Sequence, residues 1–206
     1  MRITWLGHSC FCMESDGYRI VVDPYRLDSY PPLQTRANAV YCSHEHYDHN
    51  CVDAVTMLEE RTSPFTVEEI KTFHDDQEGA LRGENTMRAF CAEGLRVVHC
   101  GDLGHWPNEA QRAFLAGSDM LMLPVGGYYT IGAAEAKRIV DEVHPRVVLP
   151  MHYRFGEHGM AVLSEVDSFA ERFPAERVTR WNDNSITVDR EAPEGVIILQ
   201  FKEKGE

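Results

Sequence analysis

Basic residues are scarce in this sequence, in which 20 Lys and Arg stand against 33 Asp and Glu and leave a net charge of −13 at pH 7. Nonspecific binding to nucleic-acid phosphates needs clustered Lys and Arg, so this balance argues against nucleic acid as a partner. It does not exclude a small anionic substrate, because bound cations can dominate the local field of a pocket. We therefore expect a small-molecule substrate.

Long apolar runs, paired cysteine motifs and a serine nucleophile motif are also missing. No apolar run approaches the roughly 20 residues that span a bilayer, and the sequence opens with a strand-like run in place of a signal peptide. The six cysteines show no C-x-x-C spacing, which favours free thiols in a reducing compartment. No G-x-S-x-G motif is present. These absences predict a cytoplasmic protein without a membrane partner, and they leave open whether the chain forms a homo-oligomer.

Strand-like runs dominate the first half of the chain and alternate with helical runs in the second half. Asp16-Gly17 and Glu93-Gly94 lie between β-rich runs and predict two hairpins. Three helices are expected, from Asn108 to about Gly117, from Ala133 to Val143, and from a cap at Ser164 to Pro174. Since no linker or repeat is visible, the pattern predicts one layered α/β domain over residues 1–206, with helices covering sheet faces.

The stretch SHEHYDHN, residues 43–50, places three histidines and an aspartate within six positions, directly after a short predicted strand. His44 and His46 are two residues apart and point the same way on an extended chain. Asp48 and His49 follow where the chain turns, so they can face a neighbouring position. Imidazole and carboxylate are donors that Zn, Mn and Fe share, and this layout suits two cations.

Three further polar residues come just after apolar runs: His74 in TFHDD, Asp102 in HCGDLGH and His152 in LPMHY. Loops at strand ends converge in α/β scaffolds, where they carry binding and catalytic groups. We therefore expect these three side chains to complete the set of metal ligands that begins in residues 43–50.

The sequence carries H-x-H-x-D-H, then a later His, an Asp after Gly and a His after a strand. This order of motifs resembles the metallo-β-lactamase superfamily over most of the chain, from Thr4 to His152. The segments WLGHSCF, VVDPY, GDLGH, LPVGGYYT and LPMHY are similar to those of the small stand-alone metal-dependent hydrolases related to ascorbate-6-phosphate lactonases. The resemblance implies an α/β fold, a four-layer αββα sandwich with the metals in a groove at one edge of its two sheets.

The resemblance also implies a site for two divalent metal ions, with Zn expected and Mn or Fe served by the same donors. The implied ligands are, for the first metal, His44, His46 and His74, for the second metal, Asp48, His49 and His152, and for both metals, Asp102. Two cations roughly 3.5–4 Å apart can share a bridging hydroxide and stabilise the charge that develops on an attacked carbonyl or phosphoryl group. Asp48 is also a catalytic candidate, which would orient the hydroxide or take its proton.

Five other residues near these motifs have open alternatives. Asp23 in VVDPY either orients a ligand histidine or starts a turn. His8 is either a groove residue or a satisfied core histidine, and His105 in GDLGH is either a catalytic proton donor or a surface histidine. Arg154 and His158 in MHYRFGEHG either rim the pocket or lie in a solvated loop.

These observations lead to the hypothesis of a dinuclear metal-dependent hydrolase that acts on a small anionic ester, lactone or phosphodiester. The alternative is a metal-dependent nuclease or RNA phosphodiesterase, which the short segment between His49 and His74 and the acidic balance weaken. A non-catalytic metal-binding member is a further alternative, but all the ligand positions are filled. A redox role is disfavoured because His46 stands where the diiron flavoprotein relatives carry a glutamate.

Overall fold

A computed structural model describes residues 1–189 and 191–202 and shows two large β-sheets at the centre of the fold. The strands are, in chain order, β1 Arg2–Gly7, β2 Cys10–Ser15, β3 Tyr18–Val22, β4 Thr35–Ala37, β5 Ala39–Tyr41, β6 Val55–Met57, β7 Thr66–Phe73, β8 Glu84–Ala92, β9 Leu95–His99, β10 Met120–Pro124, β11 Val147–Met151, β12 Val178–Trp181, β13 Ser185–Thr187 and β14 Gly195–Leu199. The α-helices are α1 Glu109–Leu115, α2 Ala133–Val143 and α3 Asp167–Ala170. The domain predicted over residues 1–206 includes 190 and 203–206, which lie outside the described residues.

The first sheet has five strands in the order β13-β1-β2-β3-β5. Within it, β2 and β3 form an antiparallel hairpin in which Ser15 lies opposite Tyr18. The two turn residues, Asp16 and Gly17, have φ angles of 49° and 69°. Positive φ at both central positions is the turn geometry that Asp-Gly favours, because it matches the twist of the strands. The predicted hairpin is therefore confirmed, as is the second one, in which β8 pairs with β9.

The second sheet has seven strands in the order β12-β14-β11-β10-β9-β8-β7. Strands β9, β10 and β11 pair in parallel, and β10 and β11 are buried along their whole length. Continuous apolar strands of this kind are typical of parallel sheets that are covered on both faces. Because parallel strands end at the same edge, the loops that follow His99, Pro124 and Met151 emerge side by side.

Two of the three predicted helices are confirmed. The helix α2 has the predicted bounds and buries the apolar residues at core spacing: Ala136, Ile139 and Val143. The helix α1 begins after Asn108, whose side chain accepts a hydrogen bond from the N–H of Gln111 at 3.0 Å. The Gln111 side chain in return accepts the N–H of Asn108, which completes the predicted capping box.

The third predicted helix is wrong at its start, because α3 begins after Val166 and has only four residues. The N–H of Ser164 donates to the carbonyl of Gly126, and the carbonyl of Ser164 accepts the N–H of Arg154. A contact to a distant loop therefore occupies the Ser164 carbonyl, which would accept the first intrahelical hydrogen bond of a helix capped there. Residues near Ser164 are held by pairing that local sequence does not reveal.

The outer face of the five-stranded sheet is covered mainly by the segment between β3 and β6. Cys10, Cys12 and Val21 of the sheet pack there against Tyr25 and Tyr30, and β4 pairs with β6 beside them. The predicted two-sheet sandwich is confirmed, while this layer consists of loops and short strands in place of the expected α-helices. All six cysteines are free, as predicted. Within the described residues, no helix has the length and apolar character needed to cross a membrane.

Candidate metal centre

The predicted ligand residues come together at the edge where strands of both sheets end. SHEHYDHN follows β5, and His74, Asp102 and His152 follow the ends of β7, β9 and β11. Within SHEHYDHN, the N–H of His49 donates to the carbonyl of His46 at 2.8 Å, which closes a turn after the first two histidines. The side chains form overlapping groups with the spacing of metal ligands.

The first group consists of His44, His46 and His74, each with a ring nitrogen within 4.8 Å of the others. Nδ1 of His74 lies 3.2 Å from the carbonyl oxygen of Tyr129, and Nδ1 of His44 lies 2.9 Å from Oγ of Ser43. These contacts leave Nε2 of both rings available as a ligand atom. Burial is the main cause that lowers the pKa of His44 to about 3, so the ring is neutral, as metal binding requires. His46 is exposed, so this group opens to solvent.

The second group contains Asp48, His49 and His152, as the resemblance implies, together with His8. One donor atom from each of these four side chains lies within 4.8 Å of the others. All four residues are buried, in contrast to the first group. The sequence alternatives for His8 included a groove residue, but not a place among the ligand atoms themselves.

Asp102 lies between the two groups. Its Oδ2 is 3.0 Å from Nε2 of His74 and 3.1 Å from Nε2 of His152, and its Oδ1 is 3.2 Å from Nε2 of His49. Burial opposes its ionisation, but the neighbouring His152 and His49 outweigh this effect and hold the pKa of Asp102 well below its usual range. The carboxylate thus faces both groups in its charged form, which is the form that binds cations.

Several buried polar atoms at this edge have no hydrogen-bond partner: both ring nitrogens of His8, Nε2 of His44, Nε2 of His49, Oδ1 of Asp102 and both ring nitrogens of His152. An unsatisfied buried polar atom costs about 1–3 kcal/mol, and native proteins contain few of them. Here the unsatisfied atoms converge, and they are the imidazole and carboxylate donors that Zn, Mn and Fe prefer. The residues present therefore fit divalent metal ions.

Asp23 orients one of the candidate ligand histidines. Its Oδ2 lies 2.8 Å from Nδ1 of His49, and the N–H and Oγ–H of Ser43 donate to its two oxygens at 2.6 Å each. Burial raises the pKa of Asp23, but the contact with His49 outweighs burial and lowers it. A carboxylate behind a ligand imidazole fixes its tautomer and leaves the other nitrogen for the metal. Asp23 also has a φ of 50° at the turn before Pro24, so both sequence interpretations hold.

Asn85 holds the segment that carries Asp102, and sequence reasoning missed it. Its Oδ1 accepts the N–H of Asp102 at 2.9 Å, and its Nδ2 donates to the carbonyl of Cys100 at 2.9 Å and to Oγ1 of Thr72 at 2.7 Å. A Cβ at Gly101 would lie 2.2 Å from Oδ1 of Asn85, so glycine is needed for this approach. No local motif marks Asn85, because only the pairing of β8 with its neighbours brings it to this loop.

Asp75 organises the loop after β7, and sequence reasoning missed it as well. Its two carboxylate oxygens accept four backbone N–H groups at 2.7–3.0 Å, those of Gln77, Gly79, Leu81 and Arg82. Burial opposes ionisation, but these N–H groups outweigh it and lower the pKa of Asp75. The guanidinium of Arg82 then lies over the ring of Tyr129, 5.6 Å from its centroid.

His105, the predicted catalytic proton donor, is held by the backbone. The N–H of Phe73 donates to its Nε2 at 3.2 Å, and its Nδ1 lies 2.8 Å from the carbonyl of Trp106. Because both ring nitrogens are engaged, neither is free to give a proton to a leaving group. These contacts favour a structural role, in which His105 ties the end of β7 to the loop after β9.

Arg154 and His158 lie outside the two ligand groups. The guanidinium of Arg154 pairs with the carboxylate of Glu165 at 2.5 Å. Nδ1 of His158 lies 2.7 Å from the carbonyl of Ser29, and its ring stacks on Tyr30 with centroids 5.2 Å apart. Both side chains therefore contribute to packing between loops, and these contacts do not favour a role at the pocket rim.

Comparison with known proteins agrees with this geometry. Residues 2–152 match the family described as the β-lactamase superfamily domain. A UPF0173 protein of Pyrococcus abyssi is 31% identical, with the match covering 74% of this chain and 83% of that protein. A UPF0173 metal-dependent hydrolase of Archaeoglobus fulgidus is 27% identical, with the same coverage. A crystal structure from Thermotoga maritima is named as that of a Zn-dependent hydrolase of the metallo-β-lactamase superfamily. Its sequence is 32% identical to this chain and the TM-score is 0.76, and the match covers 98% of this chain and 99% of that chain.

The two-sheet fold and the cluster of His and Asp side chains at its edge place the protein among the metal-dependent hydrolases of the metallo-β-lactamase superfamily. The chain belongs to the β-lactamase superfamily domain family, since the family match spans residues 2–152. The resemblance and the fold that the sequence predicted are thereby confirmed.

Proposed function

We propose that the protein is a dinuclear metal-dependent hydrolase that acts on a small anionic ester, lactone or phosphodiester. The observation that carries this proposal is the position of Asp102. Its carboxylate lies within 3.2 Å of ring nitrogens from both groups, with His74 on one side and His49 and His152 on the other. A carboxylate that faces two sets of ligand atoms supports a pair of ions over a single ion.

The cofactors would be two divalent ions, with Zn as the first expectation and Mn or Fe as the alternatives. The proposed ligands are His44, His46 and His74 for the first ion, Asp48, His49 and His152 for the second, and Asp102 for both. When bound, such ions supply a water of pKa near 7 and offset the negative charge of the transition state. Among the relatives described above, the Thermotoga protein is named for zinc, which supports that order of preference.

The chain's own side chains position the reaction. Asp48, inside the second group with its Oδ2 3.7 Å from Nε2 of His49, is proposed to orient the attacking water or to accept its proton. Asp23 fixes the ring of His49, and Asn85 fixes the backbone of Asp102. These buried hydrogen bonds hold the ligand set rigid, which is a condition for electrostatic stabilisation of a transition state.

The anionic character of the substrate is supported by a cavity beside the first group. The cavity has a volume of about 470 Å³ and lies between the SHEHYDHN segment and strands β7 and β8. Its lining includes two ligand histidines, His44 and His46, and three basic residues, Lys71, Arg82 and Arg88. Two acidic residues, Glu45 and Glu84, also line it, so basic residues outnumber acidic ones at this cavity in a chain of net charge −13.

Arg82 is the residue we propose to bind the substrate anion. Lys71 pairs with Glu84 at 3.5 Å, and Arg88 pairs with Glu69 at 3.2 Å. No carboxylate in residues 1–189 or 191–202 lies within ion-pair distance of the Arg82 guanidinium, which leaves its fork of N–H donors for a ligand. Carboxylates and phosphates bind such a fork in a bidentate manner.

The test of the proposed function is metal analysis of the purified protein, followed by a hydrolysis screen. The screen contains phosphodiesters, lactones, thioesters and labelled RNA, with His46→Ala as the control because His46 is an exposed ligand whose loss spares the core. We expect two divalent ions per chain and hydrolysis of a small anion that His46→Ala abolishes. Activity that survives the substitution contradicts the proposed site, and cleavage of RNA alone favours the nuclease alternative.

A further inference from the structure

His8 lies in the turn that joins β1 to β2 and is fully buried. Its φ of 50° is uncommon for a residue with a side chain. The surroundings fix this conformation, because the carbonyl of His8 accepts the indole N–H of Trp5 at 3.0 Å and the N–H of His152 at 3.4 Å. The turn therefore presents the imidazole in one direction, toward the second ligand group.

The ring of His8 enters that group directly. Its centroid lies 4.3 Å from the ring of His152 and 5.2 Å from the ring of His49. Its Nε2 lies 3.4 Å from Oδ2 of Asp48. This separation is longer than an ordinary N–H···O hydrogen bond, and neither nitrogen of His8 has a hydrogen-bond partner.

A buried imidazole without a partner is costly, so the structure needs a group that satisfies it. Tyr30 is another aromatic neighbour of His8, with ring centroids 6.5 Å apart, but its hydroxyl forms no hydrogen bond to the imidazole. Donor atoms of Asp48, His49 and His152 converge with one from His8, and a cation at their centre is a partner that all four side chains can bind at the same time.

We propose that His8 is a fourth side-chain ligand of the second metal site, beside Asp48, His49 and His152. This inference rests on the proposed dinuclear function and deepens it. With Asp102 added, five side chains of the protein surround the second site, which leaves it without the open position that catalytic metal sites keep. The first site has three histidines, one of which is exposed, so the coordination position for substrate belongs to the first ion.

The asymmetry agrees with the surroundings of the two groups. All four residues of the second group are buried, whereas the first group opens through His46 to the cavity that holds Arg82. An anion bound at Arg82 would therefore be placed against the first site and not the second. The protein therefore holds the second ion tightly, and the substrate contacts the first ion.

The test uses Co²⁺, whose visible absorption reports coordination number. Apoprotein of the wild type, of His8→Gln and of the control His158→Gln is titrated with Co²⁺ and then dialysed against a chelator, with bound metal counted by mass spectrometry. We expect two equivalents in the wild type and in the control. In His8→Gln, the affinity of one equivalent falls at least tenfold and its absorption changes, while the other equivalent is unaltered.

Two results would overturn the inference. If His8→Gln binds both equivalents with wild-type affinity and spectrum, His8 is at most a hydrogen-bond partner of Asp48, a role that glutamine can also fill. A wild-type protein that takes up one equivalent removes the dinuclear proposal itself, and the assignment of His8 with it. The first result is seen in His8→Gln and the second in the wild type, so the two failures are distinguishable.

A measurement on the wild-type protein tests the role of His8 without a variant that has to fold. In ¹⁵N-histidine NMR spectra of the Zn²⁺-loaded protein, metal-bound imidazoles are distinguished by their nitrogen shifts. The chain has ten histidines, of which the inference predicts six bound and four, His99, His105, His144 and His158, unbound. A count of five bound imidazoles contradicts the role of His8.

Discussion

Oδ2 of Asp23 lies 2.8 Å from Nδ1 of His49, with both side chains fully buried. The first prediction is that Asp23→Asn weakens metal binding about 10- to 100-fold, the range found when the partner of a ligand histidine is removed. The loss arises because an amide no longer fixes the tautomer of His49 that leaves Nε2 for the ion. A zinc competition titration against a chromophoric chelator measures the effect. Asp28→Asn, an exposed substitution four residues beyond Pro24, is the control, and equal affinities for both variants would refute the orienting role.

Arg82 is the subject of the second prediction. Replacing it with glutamine should raise KM for an anionic substrate about 10- to 150-fold and leave kcat within a few fold, since a charged hydrogen bond worth about 1.5–3 kcal/mol is lost. Steady-state kinetics with an anionic substrate and a neutral analogue provides the measurement. The neutral analogue should be unaffected, as should Arg172→Gln, which changes an exposed arginine. A uniform loss with both substrates would point to a disturbed loop in place of anion binding.

Asp75 leads to the third prediction. Its carboxylate accepts four backbone N–H groups, and an amide in its place cannot accept all of them. We expect Asp75→Asn to lower the free energy of unfolding by about 1–3 kcal/mol, the cost of buried groups left unpaired. Urea unfolding of the metal-free protein measures it. The neighbouring Asp76 is exposed, so Asp76→Asn should leave stability unchanged, and equal stability of the two variants would contradict the role of Asp75.

The fourth prediction separates the two interpretations of His105. If His105 ties the end of β7 to the next loop through both ring nitrogens, His105→Ala lowers the midpoint of thermal unfolding and leaves kcat nearly unchanged. A general acid contributes typically 10²–10⁴-fold to a rate. A loss of that size at unchanged stability would therefore restore the proton-donor role. Thermal unfolding and kcat, measured on the same preparation, decide between them.

The residues that meet in the candidate metal centre could be predicted from the sequence because their signals are local. His44, His46, Asp48 and His49 stand in one short stretch, and the three remaining candidates each follow a strand that ends at the same edge. The hairpin at Asp16-Gly17 is local in the same sense, since two turn residues determine it.

Unlike the contact of Asp23, the other supporting contacts could not be predicted, because distant pairing creates them. Thr72 lies opposite Asn85 in the register of β7 and β8, and this register delivers Asn85 to the backbone of Asp102. His8 is presented by a turn whose carbonyl is held by His152, 144 residues further along the chain. Ser164 loses its predicted helix start to the same kind of contact, with Gly126.

The central claim is that Asp102 serves two ions at once, and metal stoichiometry tests it most directly. Wild type, Asp102→Ala and the control Asp141→Ala, an exposed change on α2, are loaded with Zn²⁺, dialysed and analysed for metal per chain. The account predicts two ions in the wild type and the control, and loss of paired occupancy in Asp102→Ala. Two ions fully retained by Asp102→Ala would contradict it.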